Sequence, residues 1–372
     1  MRVPFYDIKA QYDELASQID QVVHEVISGG GYVMGKHHKA FEEEVAAYHG
    51  CKHGIAVNSG TDALRIMMDA CGIGAGDEVI TTAFTFVASV ETIMQTGATP
   101  VFVDIDEATF QMDPAKVEAA ITARTKAILP IHLFGQLVDI QAIKAIADKY
   151  ELILLEDAAQ AIGSHHNGVY AGNFGKAAGF SFYVTKNLGA AGDGGLILTN
   201  DDAVAEACRS IRVHGMGRER YYYDHLGYTS RLDEVQAAIL RVKLTKLNDW
   251  NKRRGEIACR YFGLLGDADV ALPPTLAGNN HTYHQLTIRS TRRDELQAFL
   301  KEREVDSMIY YPVPIHFHSP YKHLANGLGS LPVTERVSNE CLSLPTHQHL
   351  REEQVDWVAQ CIREFSGAKV GA

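Results

Sequence analysis

The chain lacks any uninterrupted apolar stretch near the ~20 residues that cross a bilayer. Its first residues, MRVPFYDIKAQYDEL, have neither an apolar core nor a small-residue cleavage site, so no secretory leader is expected. Cysteine is sparse: Cys51, Cys71, Cys208, Cys259, Cys341 and Cys361 are scattered, with no CxxC or paired spacing. That excludes a disulfide framework or a zinc knuckle and fits reduced thiols. Positive charge is also short, with 35 basic against 46 acidic residues and a net charge of −11, which speaks against a nucleic-acid partner. The 17 histidines include His165–His166 and His316–Phe317–His318, but neither group has HExxH spacing, so no metal site is expected. No repeat or low-complexity tract is visible. A soluble, cytoplasmic protein with no membrane or nucleic-acid partner is the expectation.

The chain does have length and apolar content. Its 372 residues, 46% of them apolar, suffice for a large core and roughly two domains. Tyr12, Leu15, Ile19, Val22 and Val26 recur at helical spacing, and His38 to Tyr48 reads as a second helix after Gly29–Gly31. From residue 54 short apolar strands (54–57, 78–81, 100–104, 127–131, 152–155) alternate with helices (61–70, 87–95, 114–121, 140–149). Asp113 is a plausible N-cap for the helix that begins at Pro114. Such alternation predicts an α/β fold with a mostly parallel sheet covered on both faces. Residues 233–265 read as one long helix linking two domains, followed by a strand over 281–290, a helix over 293–304 and a last helix over 355–365. The expected division is a large domain over 1–250, with an N-terminal helical arm, and a smaller α+β domain over 251–372.

Residues 151–200 are where chemistry concentrates. An apolar run ends in Glu156–Asp157, and a second run, 178–184, leads past Ser181 to Lys186. In open α/β sheets ligands sit beyond the carboxyl ends of strands, so Asp157 and Lys186 are expected to share one crevice. A lysine and an acid converging there suggest pyridoxal 5′-phosphate, which needs an amine for its Schiff base and an anion for its ring nitrogen. The phosphate needs donors, and VNSGTDALRIM (57–67) offers a helix N-terminus with Gly60 and Thr61. Ser181 adds a hydroxyl. Phe84 and Phe86 are both candidates to cover the ring, with Phe84 read as core. Gln160 is placed to donate to the ring's phenolic oxygen.

Residues 56–62 (AVNSGTD), 84–89 (FTFVAS), 156–161 (EDAAQA), 181–195 (SFYVTKNLGAAGDGG) and 227–238 (GYTSRLDEVQAA) resemble the motifs of the DegT/StrS-like sugar aminotransferases. The resemblance runs from about residue 4 to about 365. It implies the type I fold of pyridoxal phosphate-dependent transferases, with a sheet of the seven-stranded type and a smaller C-terminal domain. It implies that Lys186 carries the cofactor and shuttles the proton, Asp157 pairs with the ring nitrogen, and Gln160 contacts the phenolic oxygen. It implies that Phe86 stacks on the ring, that Gly60, Thr61 and Ser181 hold the phosphate, and that a homodimer shares its active sites through 227–232. Relatives commonly carry Asn where this chain has Thr229, which puts that cross-subunit phosphate contact in doubt. Other members replace the lysine with histidine and dehydrate a sugar, and Lys186 disfavours that branch.

The implied reaction moves an amino group from an amino acid, by resemblance glutamate, to a keto sugar. Arg231 is the first candidate for the donor carboxylate, its alternative being a pair with Asp233. Tyr183, Tyr310, His316 and His318 are candidates to contact the sugar. The run S-R-L-D at 230–233 leans toward a nucleotide-linked 3-keto rather than 4-keto deoxysugar. An unlinked sugar or other carbonyl acceptor, another pyridoxal phosphate enzyme of this fold, and a non-catalytic regulator are the competing readings.

Overall fold

A computed structural model describes residues 1–367, so the last five residues of the expected second domain lie outside the described residues. Seven strands form the main sheet: β1 (His53–Val57), β2 (Glu78–Thr82), β3 (Thr99–Val103), β4 (Thr125–Ile128), β5 (Ile153–Asp157), β6 (Ala177–Ser181) and β7 (Gly195–Thr199). Their order is β1-β7-β6-β5-β4-β2-β3. The β2–β3, β2–β4, β4–β5 and β5–β6 pairs are parallel, and only β7 runs against its neighbours β1 and β6. The carboxyl ends of β1 to β6 therefore share one edge, together with the amino end of β7. This is the α/β, mostly parallel architecture that the strand–helix alternation calls for. All five residues of both β2 and β7 are buried, as a sheet covered on both faces requires.

Helix Ile8–Gly29 begins at Asp7, whose side chain accepts from the Ala10 N–H, and ends at Gly30, whose φ of 71° suits a residue without Cβ. Its buried residues Leu15 and Ile19 pack with Ile239 and Trp250. The stretch read as one helix over 233–265 is two, Glu234–Leu244 and Leu247–Leu265. At the break the Thr245 hydroxyl donates to the Val242 carbonyl at 2.7 Å, a local bond that competes with helix continuation.

A second core gathers Ile257, Tyr261, Leu286, Leu296, Leu342, Val358 and Ile362. Its strands β8 (Leu286–Arg289) and β9 (Cys341–Leu344) pair antiparallel. Val3 joins this core and bridges Val305, so the chain's first residues pack with its last third rather than with the helices that follow them. Of the strand expected over 281–290, only 286–289 forms. Tyr283 adopts a φ of 44°, held by its N–H donating to His281 Nδ1 at 2.9 Å, and the preceding segment turns toward the main sheet.

Candidate active site

A cavity of 490 Å³ opens at the shared strand edge. β5 delivers Asp157 there by simple alternation. Side chains on a strand point to opposite faces, so Glu156 and Asp157 part company. Glu156 meets His132 Nε2 at 3.0 Å and accepts the N–H groups of Gly172, Phe174 and Gly175. Burial pushes its carboxyl up, but these bonds outweigh that and hold it below the usual range. Glu156 is thus committed to the scaffold, whereas Asp157 lines the cavity.

Asp157 is 3% exposed. Its Oδ2 accepts from the Ser89 hydroxyl at 2.7 Å and its Oδ1 from the Ala159 N–H at 3.1 Å. Since Ser89 spends its proton on Asp157, Thr85 donates to Ser89 at 2.9 Å. Burial still raises the Asp157 pKa, against these donors and the charge of Lys186. Among the described residues no cation lies within ion-pair distance of Asp157. A buried carboxylate in that position is suited to receiving a cation from a ligand.

Lys186 sits on the turn after β6. The turn is held by the Lys186 N–H to Tyr183 O at 2.8 Å and by Lys243 Nζ to Gly189 O at 2.7 Å. Asn187 Nδ2 ties it to Asn251 Oδ1 and the Thr282 carbonyl. Gly189 is needed here, because a Cβ would lie 2.4 Å from the Val184 carbonyl oxygen. Burial lowers the Lys186 pKa from 10.5 to about 8, with Asp157 opposing the shift. A substantial neutral fraction therefore exists near pH 8, and only the neutral amine is a nucleophile.

At the other end, Ser59 caps helix Gly60–Ala70, taking the Asp62 N–H on its hydroxyl at 3.1 Å and the Ala63 N–H on its carbonyl at 3.0 Å. The Gly60 and Thr61 N–H groups have no acceptor among the described residues. They are free for an anion. A Cβ on Gly60 would lie 2.6 Å from that of Ser181. The Ser181 hydroxyl accepts from the Tyr183 N–H at 3.3 Å, which leaves its own proton to donate.

These features fit pyridoxal phosphate: free N–H groups and a hydroxyl for the phosphate, an amine of lowered pKa for the aldehyde, and an unneutralised carboxylate for the ring nitrogen. Phe86 lines the cavity and is 55% exposed, whereas Phe84 is 1% exposed and packs on Phe110 and Phe134. Gln160 accepts the Phe134 N–H at 2.7 Å, which turns its amide NH₂ toward the cavity and the Tyr311 hydroxyl, 3.2 Å away.

The structure thus brings Lys186, Asp157, Gly60, Thr61, Phe86, Gln160, Ser181, Tyr183 and Tyr310 to one cavity. His316 is elsewhere: buried, 3.2 Å from Glu335, it braces the 329–335 turn rather than meeting a sugar. His318 is exposed and outside the cavity. Thr229 bonds His214 at 2.9 Å, and neither Thr229 nor Arg231 lines the cavity of its own chain. Arg231 does not pair with Asp233, and no ion pair or hydrogen bond engages it among the described residues. Sequence reasoning missed Tyr6, Ser89, His284, Gln285 and Tyr311, all of which line the cavity. Ser89 had a legible signal, lying inside the quoted 84–89 motif. Tyr6 had none, since it arrives from the chain's start to meet the Tyr310 hydroxyl at 3.1 Å.

The chain matches the DegT/DnrJ/EryC1/StrS aminotransferase family over residues 13–363. It is 50% identical to a pleiotropic regulatory protein of Geobacillus stearothermophilus, over 98% of this chain and 99% of that one. It is 43% identical to the dTDP-3-amino-3,4,6-trideoxy-alpha-D-glucose transaminase of Streptomyces venezuelae, over 98% of this chain and 96% of that one. A crystal structure of S. venezuelae DesV in complex with a ketimine intermediate superposes with a TM-score of 0.96 at 42% identity, covering 99% of both chains. Among the described residues no helix is long and apolar enough to cross a membrane, and no cluster of three or more His, Cys, Asp or Glu could hold a metal ion.

Proposed function

The chain belongs to the DegT/DnrJ/EryC1/StrS aminotransferase family, and from that premise we propose that it transfers the amino group of glutamate to a nucleotide-linked 3-keto sugar. The observation that carries the chemistry is the placement of Lys186 and Asp157 on one cavity without an ion pair between them. Pyridoxal 5′-phosphate, when bound, supplies the electron sink for the carbon that loses its proton. The residues supply the rest. Gly60, Thr61 and Ser181 hold the phosphate, Asp157 keeps the ring nitrogen protonated, and Phe86 covers the open face. Lys186 Nζ removes the proton from the donor's α-carbon and redelivers it, and the same groups run the reverse steps on the keto sugar.

Among the described residues no arginine lines the cavity, yet a donor carboxylate calls for one. We assign that role to Arg231 of a second copy, with Thr229 beside it. Two things support this: the absence of any partner for Arg231 among the described residues, and the exposed aromatic loop Tyr221–Tyr223 with Leu226 just upstream. The preference for a 3-keto acceptor is supported by the S-R-L-D run and by the name of the Streptomyces relative. The regulatory name of the Geobacillus relative raises a non-catalytic reading, but an intact lysine–aspartate cavity favours turnover. The test is a panel of dTDP- and UDP-linked 3-keto and 4-keto sugars with glutamate, followed by locating the new amine. A 3-amino product is expected. No amine on any sugar, or amination at C4 alone, contradicts the assignment.

A further inference from the structure

Tyr283's left-handed turn places His284 and Gln285 on the cavity wall, beside Lys186. His284 is 5% exposed, and its protonation is fixed by its neighbours. Asn187 Nδ2 donates to Asn251 Oδ1 at 2.8 Å and to the Thr282 carbonyl at 2.9 Å. Asn187 Oδ1 is therefore an acceptor, and it faces His284 Nδ1 at 3.2 Å. Nδ1 must carry the hydrogen, which leaves Nε2 with its lone pair. Burial, Lys186 and Arg254 all push the ring's pKa well below the ordinary value, so it stays neutral. Among the described residues Nε2 is met by one long hydrogen bond, from Gln285 Nε2 at 3.5 Å, at the outer limit for such a bond, while the same amide makes a shorter one to the Tyr6 hydroxyl at 2.8 Å.

The rest of the wall has a matching polarity. The Tyr6 hydroxyl, which accepts from Gln285, also shares a hydrogen bond with the Tyr310 hydroxyl 3.1 Å away, so two phenol hydroxyls stand on this wall. The wall thus presents hydroxyls at Tyr6 and Tyr310 and an acceptor at His284. The donor amino acid and the keto sugar use the cavity in turn, and they differ in what they offer such an acceptor. Such a sugar keeps a hydroxyl on a carbon next to its reacting carbonyl, whereas a dicarboxylate donor offers no hydroxyl.

We propose that His284 is a specificity residue for the acceptor half of the reaction, its Nε2 taking a hydrogen bond from a hydroxyl of the keto sugar. The proposal rests on the transaminase reading above. The two half-reactions of the cofactor-loaded enzyme separate it from a structural role. Single-turnover rates are followed by absorbance, first with glutamate, then with the dTDP-linked and UDP-linked 3-keto sugars. For His284→Leu the glutamate half-reaction is expected to stay within about twofold of wild type, while kcat/KM for the keto sugar falls by about tenfold or more through KM. His284→Gln, which keeps an acceptor at that reach, should recover most of the loss. It also serves as the second variant if the leucine form folds poorly. Equal losses in both halves, or no loss with the sugar, overturns the proposal. A wild type that reacts with glutamate but aminates no sugar overturns the acceptor reading itself, and shows as inertness of the parent enzyme rather than as a difference between variants.

Discussion

Replacing Lys186 with alanine is expected to lower turnover by about 10⁴-fold or more and to abolish covalent capture of pyridoxal phosphate. No other amine on the wall can substitute, since among the described residues Lys186 is the only lysine lining the cavity. Lys243 is buried, but its Nζ is spent on the Gly189 carbonyl at 2.7 Å and lies outside the cavity. The variant should nevertheless fold. Among the described residues Lys186 forms no ion pair, and its partial burial costs the apo protein stability. The sign follows from the pKa, which is about 8 in the folded chain against an ordinary 10.5. Between those values the unfolded chain binds more protons, so stability rises with pH through that window. Below about pH 8 the lysine is a full burden, and there the apo form of Lys186→Ala should melt no lower than apo wild type. A calorimetric scan at pH 7 beside an activity assay checks both halves. Activity near wild type, or a collapse of melting temperature, contradicts this role.

Asp157→Asn should separate binding from chemistry. The amide keeps the carboxylate's shape, and its oxygen can still accept from Ser89, so the cavity should survive and Lys186 should still capture the cofactor. What disappears is the buried negative charge, and with it the force that keeps the ring nitrogen protonated. A loss of about 10³-fold in kcat is expected, with the visible absorbance of the bound cofactor retained but shifted. Steady-state kinetics beside an absorption spectrum read both quantities. If kcat held while cofactor binding fell, Asp157 would be a phosphate-side or structural group, and the proposed orientation of the ring would be reversed.

Much of this arrangement was legible in the chain because strand geometry is periodic. Asp157 ends a strand, Lys186 follows the next one in space, and both parallel strands must finish at the same edge. Gly60 and Thr61 were legible for a similar reason, since a strand followed by Ser-Gly-Thr opens a helix. The groups that escaped notice are those placed by tertiary packing. Tyr6 reaches Tyr310 across 304 positions, because Val3 and the segment around it pack on the second core. His284 was read as part of a strand, and only the left-handed turn at Tyr283 puts it on the cavity wall. His316 shows the opposite error, a histidine in a suggestive loop that folding commits to Glu335. The break at Thr245 was masked by good helix formers on both sides, and a single side-chain bond to Val242 marks it.

The most direct test of the central claim is to load the protein with pyridoxal phosphate, reduce it with borohydride and map the modified peptide by mass spectrometry. The account predicts a single phosphopyridoxyl adduct, on Lys186. An adduct on another lysine, or none at all, would contradict it.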